Sequence, residues 1–254
     1  MDKPQIAVIG AGLMGHGIAY LFAAGDYRVR VQDPACEALE KLPQRIGDIC
    51  DLLGTDRAAV ERVSTGPSIE WAVTGAGVVI EAAPEKLALK QTIFADLERF
   101  APRDAILASN TSALPITHIA AGLETKDRIL GAHFWNPPHL VPLVEIVLMS
   151  EANRPAAERL AAILRAIRRH PVLVHRDIPG FIGNRLQHAH RTRRHHHCLA
   201  RMPLARLQRR GVVGHHHCLF VPQREKDSSL LAPRWLGATL QLVHRGSASL
   251  GSPD

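Results

Sequence analysis

The first 33 residues alternate between short apolar runs and one helical pattern. Ile6–Ile9 is an uninterrupted apolar run, which is typical of a strand buried on both faces of a parallel sheet. Apolar residues then recur at helical spacing over Ile18–Ala23, and Gly25 ends that pattern. Val29 and Val31 begin a second apolar run. The pattern predicts a strand, a helix and a second strand.

The same alternation continues to residue 177. Further buried strands are predicted over residues 77–84, 105–112, 128–137, 141–147 and 171–177. Helical periodicity over residues 85–100 and 154–170 separates some of them. Strands that alternate with helices predict an α/β fold, namely a doubly wound, Rossmann-type parallel sheet with helices on both faces.

A glycine-rich turn joins the first strand to the first helix. It reads Gly10, Ala11, Gly12, Leu13, Met14, Gly15, and Asp33 closes the second strand. Such glycines permit a tight turn, a close approach of pyrophosphate and close packing of helix on strand, while the helix N-terminus attracts phosphate. Asp33 is placed to accept hydrogen bonds from a ribose diol and to repel a 2′-phosphate. We therefore expect NAD as the cofactor, bound by all seven residues.

Two arginines leave an alternative open. Arg28 and Arg30 would serve a 2′-phosphate if they pointed at the ribose. Both lie within the second predicted strand, so we expect them to point elsewhere.

Composition and the cysteines indicate the cellular compartment of the protein. Of 254 residues 46% are hydrophobic, yet the chain has no run of eighteen apolar residues and no secretory signal pattern at its start. The four cysteines, Cys36, Cys50, Cys198 and Cys218, form no close pair. The cysteines indicate reduced thiols in a cytoplasmic protein. Because no run of eighteen apolar residues is present, we expect no membrane partner.

The net charge of +7 belongs to the last quarter of the chain. Residues 1–189 hold 20 basic and 21 acidic side chains, whereas residues 190–254 hold 11 basic and 3 acidic ones. The near-neutral first part gives no reason to expect nucleic acid as a partner.

Polar residues follow the predicted strands where ligands bind in such sheets. They are Glu81, Glu85, Asn110, Thr111, Ser112, His133 and Asn136. The "SNTS" stretch also suits a helix cap, and His133 also suits a partly buried structural histidine. Glu145 suits a surface acid on an edge strand, but a carboxylate inside "VPLVEIVLM" needs a partner, for which His133 is the natural candidate.

Five stretches, "GAGLMGHGIA", "EAAPEKLALK", "SNTSALPIT", "HFWNPPHLVPLVEIV" and "DIPGFIGNRL", occur in this order. In order and spacing they resemble the L-3-hydroxyacyl-CoA dehydrogenases, of the 3-hydroxybutyryl-CoA dehydrogenase kind. The resemblance runs from about residue 4 to residue 189. It implies an NAD-binding domain over residues 1–178 and the start of a helical substrate and dimerisation domain over residues 179–189.

The resemblance also implies roles for individual residues. His133 would take the proton from the substrate 3-hydroxyl, Glu145 would fix the imidazole tautomer, and Ser112 and Asn184 would hydrogen-bond the reacting oxygens. Glu85, Lys90, Ser112 and Asn136 resemble positions that contact the cofactor. The implied reaction converts (S)-3-hydroxyacyl-CoA to 3-oxoacyl-CoA in the β-oxidation of fatty acids, without a metal.

Two features separate this chain from that pattern. "NPPHLVPLVE" resembles family members whose substrate is not established, and relatives of this fold oxidise hydroxy acids that carry no CoA. "EALEKLPQRIGDI" shows no lysine-rich patch for CoA. A dehydrogenase for a free hydroxy acid and a non-catalytic NAD-binding protein therefore remain as alternatives.

The resemblance stops where an arginine- and histidine-rich tail begins, over residues 190–254. "HHHC" occurs at 195–198 and 215–218, but consecutive residues cannot all face one metal ion. A basic arm for nucleic acid fits the charge, without a recognition motif. Ten arginines against one lysine, and eight of the fifteen histidines, favour an out-of-frame continuation. We expect this tail to be poorly ordered, to replace the helical domain, and to weaken turnover and the homodimer implied by the family.

Overall fold

An eight-stranded sheet forms the centre of the protein. The computed structural model describes residues 3–187, and the tail over residues 190–254, with the predictions made for it, lies outside the described residues. The strands are β1 (Gln5–Ile9), β2 (Val29–Gln32), β3 (Val63–Gly66), β4 (Ala76–Glu81), β5 (Ile106–Ser109), β6 (Ile129–Phe134), β7 (Leu143–Val147) and β8 (His170–Val174). Their order in the sheet is β3-β2-β1-β4-β5-β6-β7-β8.

Six of the strands are parallel and the last two run the other way. β3, β2, β1, β4, β5 and β6 are paired in parallel, β7 pairs with β6 antiparallel, and β8 pairs with β7 in parallel. The doubly wound sheet is confirmed, but it is mostly rather than wholly parallel. The short loop over residues 135–142 explains the reversal, because parallel neighbours need a longer crossover.

Helices cover both faces of the sheet. They are α1 (Gly15–Ala24), α2 (Cys36–Glu40), α3 (Leu42–Leu53), α4 (Ala58–Glu61), α5 (Ile69–Val73), α6 (Leu87–Phe100), α7 (Ile116–Ile119) and α8 (Arg154–Ala166). One core joins α1, α3 and α8 to the sheet, and the second core joins α5, α6 and α7 to the opposite face.

The apolar run in β1 fills both cores. Ile6 and Val8 belong to the core beneath α1, and Ala7 and Ile9 belong to the core beneath α6. All four residues are buried. Successive side chains of a strand point to opposite faces, so a two-sided sheet requires an unbroken apolar sequence.

The stretch over residues 36–73 contains elements that the hydrophobic pattern did not predict. β3 is an edge strand of sequence VSTG with two exposed residues, so it carries no apolar run. α2, α4 and α5 have four or five residues each, too few for a helical period to repeat. Within residues 3–187, no helix has the length and apolar character needed to cross a membrane.

Candidate functional site

The three glycines of the turn after β1 have different surroundings. Gly10 has φ +105°, and a Cβ there would lie 2.8 Å from the Ala82 carbonyl oxygen. A Cβ on Gly15 would lie 1.8 Å from the Gly10 carbonyl oxygen, so α1 packs directly on the turn. A Cβ on Gly12 would have no atom of residues 3–187 within 4 Å, which leaves an open face at the turn. In the described part of the chain no side chain caps α1, whose N-terminus can therefore receive phosphate.

Asp33 is tied to this turn. Its carboxylate accepts the Ala11 N–H at 2.7 Å and the Ala35 N–H at 2.9 Å. Each carboxylate oxygen keeps a further lone pair for a ribose hydroxyl. Arg30 is engaged elsewhere, since its guanidinium donates to the Trp71 carbonyl at 2.7 Å and lies over the Trp71 ring. The glycine turn and Asp33 therefore fit NAD, as expected.

A buried ion pair lies at the end of β4. The Lys90 ammonium donates to Glu81 at 2.7 Å, and both side chains are at most 1% exposed. Ser109 Oγ donates to the other oxygen of Glu81 at 2.5 Å. Lys90 also lies 3.4 Å from Glu85, so it connects the buried pair to the half-exposed Glu85 carboxylate. This network was not predicted, because Glu81 comes into contact with Lys90 only when α6 packs on β4.

Glu85 organises the loop after β5. Its Oε1 accepts the Thr111 hydroxyl and the N–H groups of Ser112 and Ala113 at 3.0 and 3.1 Å. Burial alone would raise the pKa of Glu85, but the Thr111 hydroxyl, the charge of Lys90 and the two amides outweigh it and lower that pKa. Glu85 therefore stays ionised and fixes the position of Ser112.

His133 and Glu145 form a buried pair. They are register partners on the antiparallel strands β6 and β7. His133 Nδ1 lies 2.8 Å from Glu145 Oε2, and the residues are 5% and 2% exposed. Glu145 is thus not a surface acid, and β7 is not an edge strand because β8 covers it. The predicted partnership of the two residues is present in the structure.

The segment after β8 completes the surroundings of this pair. Glu145 Oε1 accepts the N–H groups of Ile182 and Gly183, both at 3.0 Å. Burial alone would raise the pKa of Glu145, but His133 and these two amides outweigh it and lower that pKa. The rings of Trp135 and Phe181 lie 5.2 and 5.9 Å from the His133 ring, measured between centroids. The carboxylate therefore stays charged beside the imidazole.

Ser112 and Asn184 are neighbours across the site. Asn184 Nδ2 donates to the Ser112 carbonyl oxygen at 2.8 Å. Both residues are partly exposed. Glu85 holds the amide of Ser112 and Asn184 holds its carbonyl, so the backbone of Ser112 is fixed from both sides.

One alternative for "SNTS" is wrong. α7 begins at Ile116, and its first N–H groups, those of Ile116 and Thr117, donate to Asp177 at 2.8 and 2.7 Å. Thr111 caps only its own turn, accepting the Leu114 N–H at 3.0 Å. Asp177 was missed because it lies about 60 residues from the helix that it caps.

Three other predicted residues take part in none of the contacts described above. Leu13 is 61% exposed beside the glycine turn, Met14 is partly buried, and Asn136 is exposed in the loop after β6. Among the residues that the structure describes, no group of three or more His, Cys, Asp or Glu side chains could hold a metal ion.

The fold and the turn after β1 define a dinucleotide-binding domain. The model of the 3-hydroxyacyl-CoA dehydrogenase NAD-binding domain matches residues 5–178. The chain belongs to the 3-hydroxyacyl-CoA dehydrogenase family, and its cofactor is NAD.

Relatives act on different substrates. The chain is 34% identical over 190 residues to 5-formyl-3-hydroxy-2-methylpyridine 4-carboxylate 5-dehydrogenase of Mesorhizobium japonicum, covering 73% of this chain and 62% of that protein. It is 37% identical over 193 residues to L-carnitine dehydrogenase of Streptomyces griseus, covering 74% and 57%. The crystal structure of 3-hydroxybutyryl-CoA dehydrogenase from Escherichia coli superposes with a TM-score of 0.68 at 33% identity, covering 73% of this chain and 41% of that one. The chain thus spans less than two thirds of the length of each.

Proposed function

We propose that the protein is an NAD-dependent dehydrogenase that oxidises the 3-hydroxyl of (S)-3-hydroxyacyl-CoA to 3-oxoacyl-CoA, as in the β-oxidation of fatty acids. The buried pair of His133 and Glu145 is the observation that carries this proposal. A histidine held by a carboxylate within an NAD-binding domain is suited to general-base catalysis. Membership of the family supports the same activity.

In the proposed reaction the hydride passes to the cofactor and the proton passes to the protein. NAD, when bound, supplies the acceptor for the hydride. His133 takes the hydroxyl proton on Nε2, because Nδ1 faces Glu145 and donates to it. The negative charge of Glu145 then stabilises the imidazolium. The amides of Ile182 and Gly183 keep that carboxylate aligned.

Ser112 and Asn184 position the substrate in this proposal. Their mutual contact brings the loop after β5 against the segment after β8. The Ser112 hydroxyl and the remaining amide hydrogen of Asn184 are the donors for the reacting oxygens. Glu85 and Asn136, which are exposed, would contact the cofactor. Lys90 is buried in its ion pair with Glu81, so it would act on the cofactor only through Glu85, which lies 3.4 Å away.

A free hydroxy acid is the second candidate substrate. The names of two relatives indicate carnitine and a pyridine carboxylate, neither of which carries CoA.

We place the activity in the cytoplasm, since Cys36 and Cys50 are free thiols.

The test is NADH oxidation by the purified chain with acetoacetyl-CoA, with NADH binding titrated in parallel. We expect turnover that falls by about 10²- to 10⁴-fold in His133→Ala, because the general base is lost. NADH affinity should be unchanged in this variant. His118→Ala removes an exposed histidine of α7 and is the matched control.

Three outcomes separate the candidates. Oxidation of L-carnitine or another free hydroxy acid, without turnover of acetoacetyl-CoA, would favour the second candidate. NADH binding without turnover of any substrate would indicate a non-catalytic NAD-binding protein. Equal activities of His133→Ala and His118→Ala would remove the proposed role of His133.

A further inference from the structure

A cavity lies along the C-terminal half of α1, apart from the glycine turn. Its volume is about 280 Å³, and its polar lining comes from Tyr20, Thr55, His139, Arg168 and Arg169. At 1.5 Å per residue, Tyr20 is about 9 Å along the helix axis from Met14. Neither the turn over residues 10–15 nor His133 lines this cavity. It is therefore separate from the site described above.

Arg169 brings a partly buried charge to the cavity wall. Its guanidinium donates to the backbone carbonyls of Pro138 at 3.2 Å and Ile167 at 3.3 Å. Arg169 is partly buried, and this burial lowers the pKa of its guanidinium. Within residues 3–187, no carboxylate forms a salt bridge with it. A desolvated cation of this kind favours an anion as its neighbour.

His139 brings a polar atom without a partner in the described residues to the cavity wall. Its Nδ1 is buried and makes no hydrogen bond to any residue in the described part of the chain. Burial lowers the pKa of His139, and the nearby His16 and Arg169 lower it further. A buried polar atom that lacks a protein partner commonly marks a place for water, an ion or a ligand.

Arg168 lies in an unfavourable backbone conformation at the mouth of the same cavity. Its φ is +59°, at the position after α8 where glycine is the usual residue. An arginine costs more than glycine in this conformation, and Arg168 is one of the residues that line the cavity. The hydroxyls of Tyr20 and Thr55 hydrogen-bond each other at 3.0 Å, which leaves one hydroxyl hydrogen as a neutral donor nearby.

We propose that this cavity binds a small oxyanion, a phosphate or carboxylate group held by Arg169 and Arg168. Guanidinium groups match the paired oxygens of both groups. None of the lining residues that lie within the described range 3–187 is acidic. Its volume lies just below the range of about 300–1,000 Å³ for drug-sized ligands, which suits a small anion rather than a dinucleotide. The site is additional to the proposed dehydrogenase function and does not depend on turnover.

The test is calorimetric titration of inorganic phosphate into the full chain in a phosphate-free buffer. The chain is first saturated with NADH, so that the glycine turn is occupied. We expect one phosphate site per chain, with affinity lowered at least about tenfold in Arg169→Gln because a charge-assisted contact is lost. Arg165→Gln removes the same charge from an exposed position of α8 outside the cavity, and it should bind phosphate as the unaltered chain does.

A second anion and a second variant complete the test. A parallel titration with malonate distinguishes a carboxylate ligand from a phosphate ligand. Arg168→Gly removes a guanidinium while relieving the backbone strain, so this variant should fold even if Arg169→Gln does not, and it should also bind the anion more weakly. The proposal is overturned if neither anion binds, or if Arg168→Gly and every folded Arg169 variant bind as Arg165→Gln does.

Discussion

At the scale of single residues, two glycines of the turn after β1 are needed for different reasons. Gly15 has no room for a side chain, because a Cβ would meet the Gly10 carbonyl. Gly12 has room for a side chain, because no atom of the described part of the chain would lie within 4 Å of its Cβ. Gly15 is therefore required for the packing of α1 on β1, whereas Gly12 leaves space for the cofactor.

Gly12→Ala and Gly15→Ala should therefore separate binding from folding. Gly12→Ala should weaken NADH binding by about tenfold or more, while the free energy of unfolding stays within about 0.5 kcal/mol of the unaltered chain. Gly15→Ala should destabilise the fold by about 1–3 kcal/mol or more, since the backbone must move. Fluorescence titration with NADH and urea unfolding measure the two quantities. Equal stability losses in the two variants would contradict this division.

At the scale of elements, the buried pair of Glu81 and Lys90 fastens α6 to the end of β4. Lys90 also donates to the Ala83 carbonyl at 3.2 Å, and the Ala83 N–H donates back to Glu81 at 2.7 Å. The strand end, its loop and the helix are thus joined by one polar network. Removing one charge from such a network leaves the other buried and unpaired.

Lys90→Met should destabilise the protein by about 3–5 kcal/mol, because Glu81 would remain buried without its partner. The double variant Glu81→Gln/Lys90→Met should lose less, since no uncompensated charge remains. Urea unfolding followed by circular dichroism measures both. Lys86→Met, at an exposed position next to α6, is the control and should change stability by less than about 0.5 kcal/mol. A cost for Lys90→Met similar to that control would show that the pair contributes little.

At the scale of the whole molecule, two carboxylates hold together parts that are distant in sequence. Glu85 binds the loop after β5, and Glu145 binds the segment after β8. The pKa of each is lowered in the folded protein, so each binds a proton more readily when the chain is unfolded. Their stabilisation is complete above the ordinary glutamate pKa of 4.5 and is lost as the pH falls through the lowered folded pKa.

The stability advantage over Glu145→Gln should accordingly depend on pH. Above pH 4.5 the free energy of unfolding should exceed that of the variant by a constant amount, and the difference should narrow at lower pH. Urea unfolding at a series of pH values measures this difference. A difference that stays constant throughout the acid range would show that Glu145 gains nothing from its ionised state.

The pairings within the site were predictable to different degrees. His133 and Glu145 could be paired from the sequence, because a carboxylate in an apolar strand needs a partner. The buried contact between Glu81 and Lys90, and the cap that Asp177 provides for α7, could not be predicted. Both contacts depend on how helices pack against strand ends, which no local pattern specifies.

The sequence by itself determined the parallel core, the glycine turn with Asp33, and the pairing of His133 with Glu145. Apolar runs and glycines act over a few neighbouring residues, so the order of residues is enough to specify them. Only the tertiary structure decided that β7 and β8 run opposite to β1–β6, and that the amides of Ile182 and Gly183 reach Glu145. It alone also brought Arg168, Arg169 and His139 to one cavity beside α1. These contacts join residues far apart in the chain, and they form only when the whole sheet is assembled.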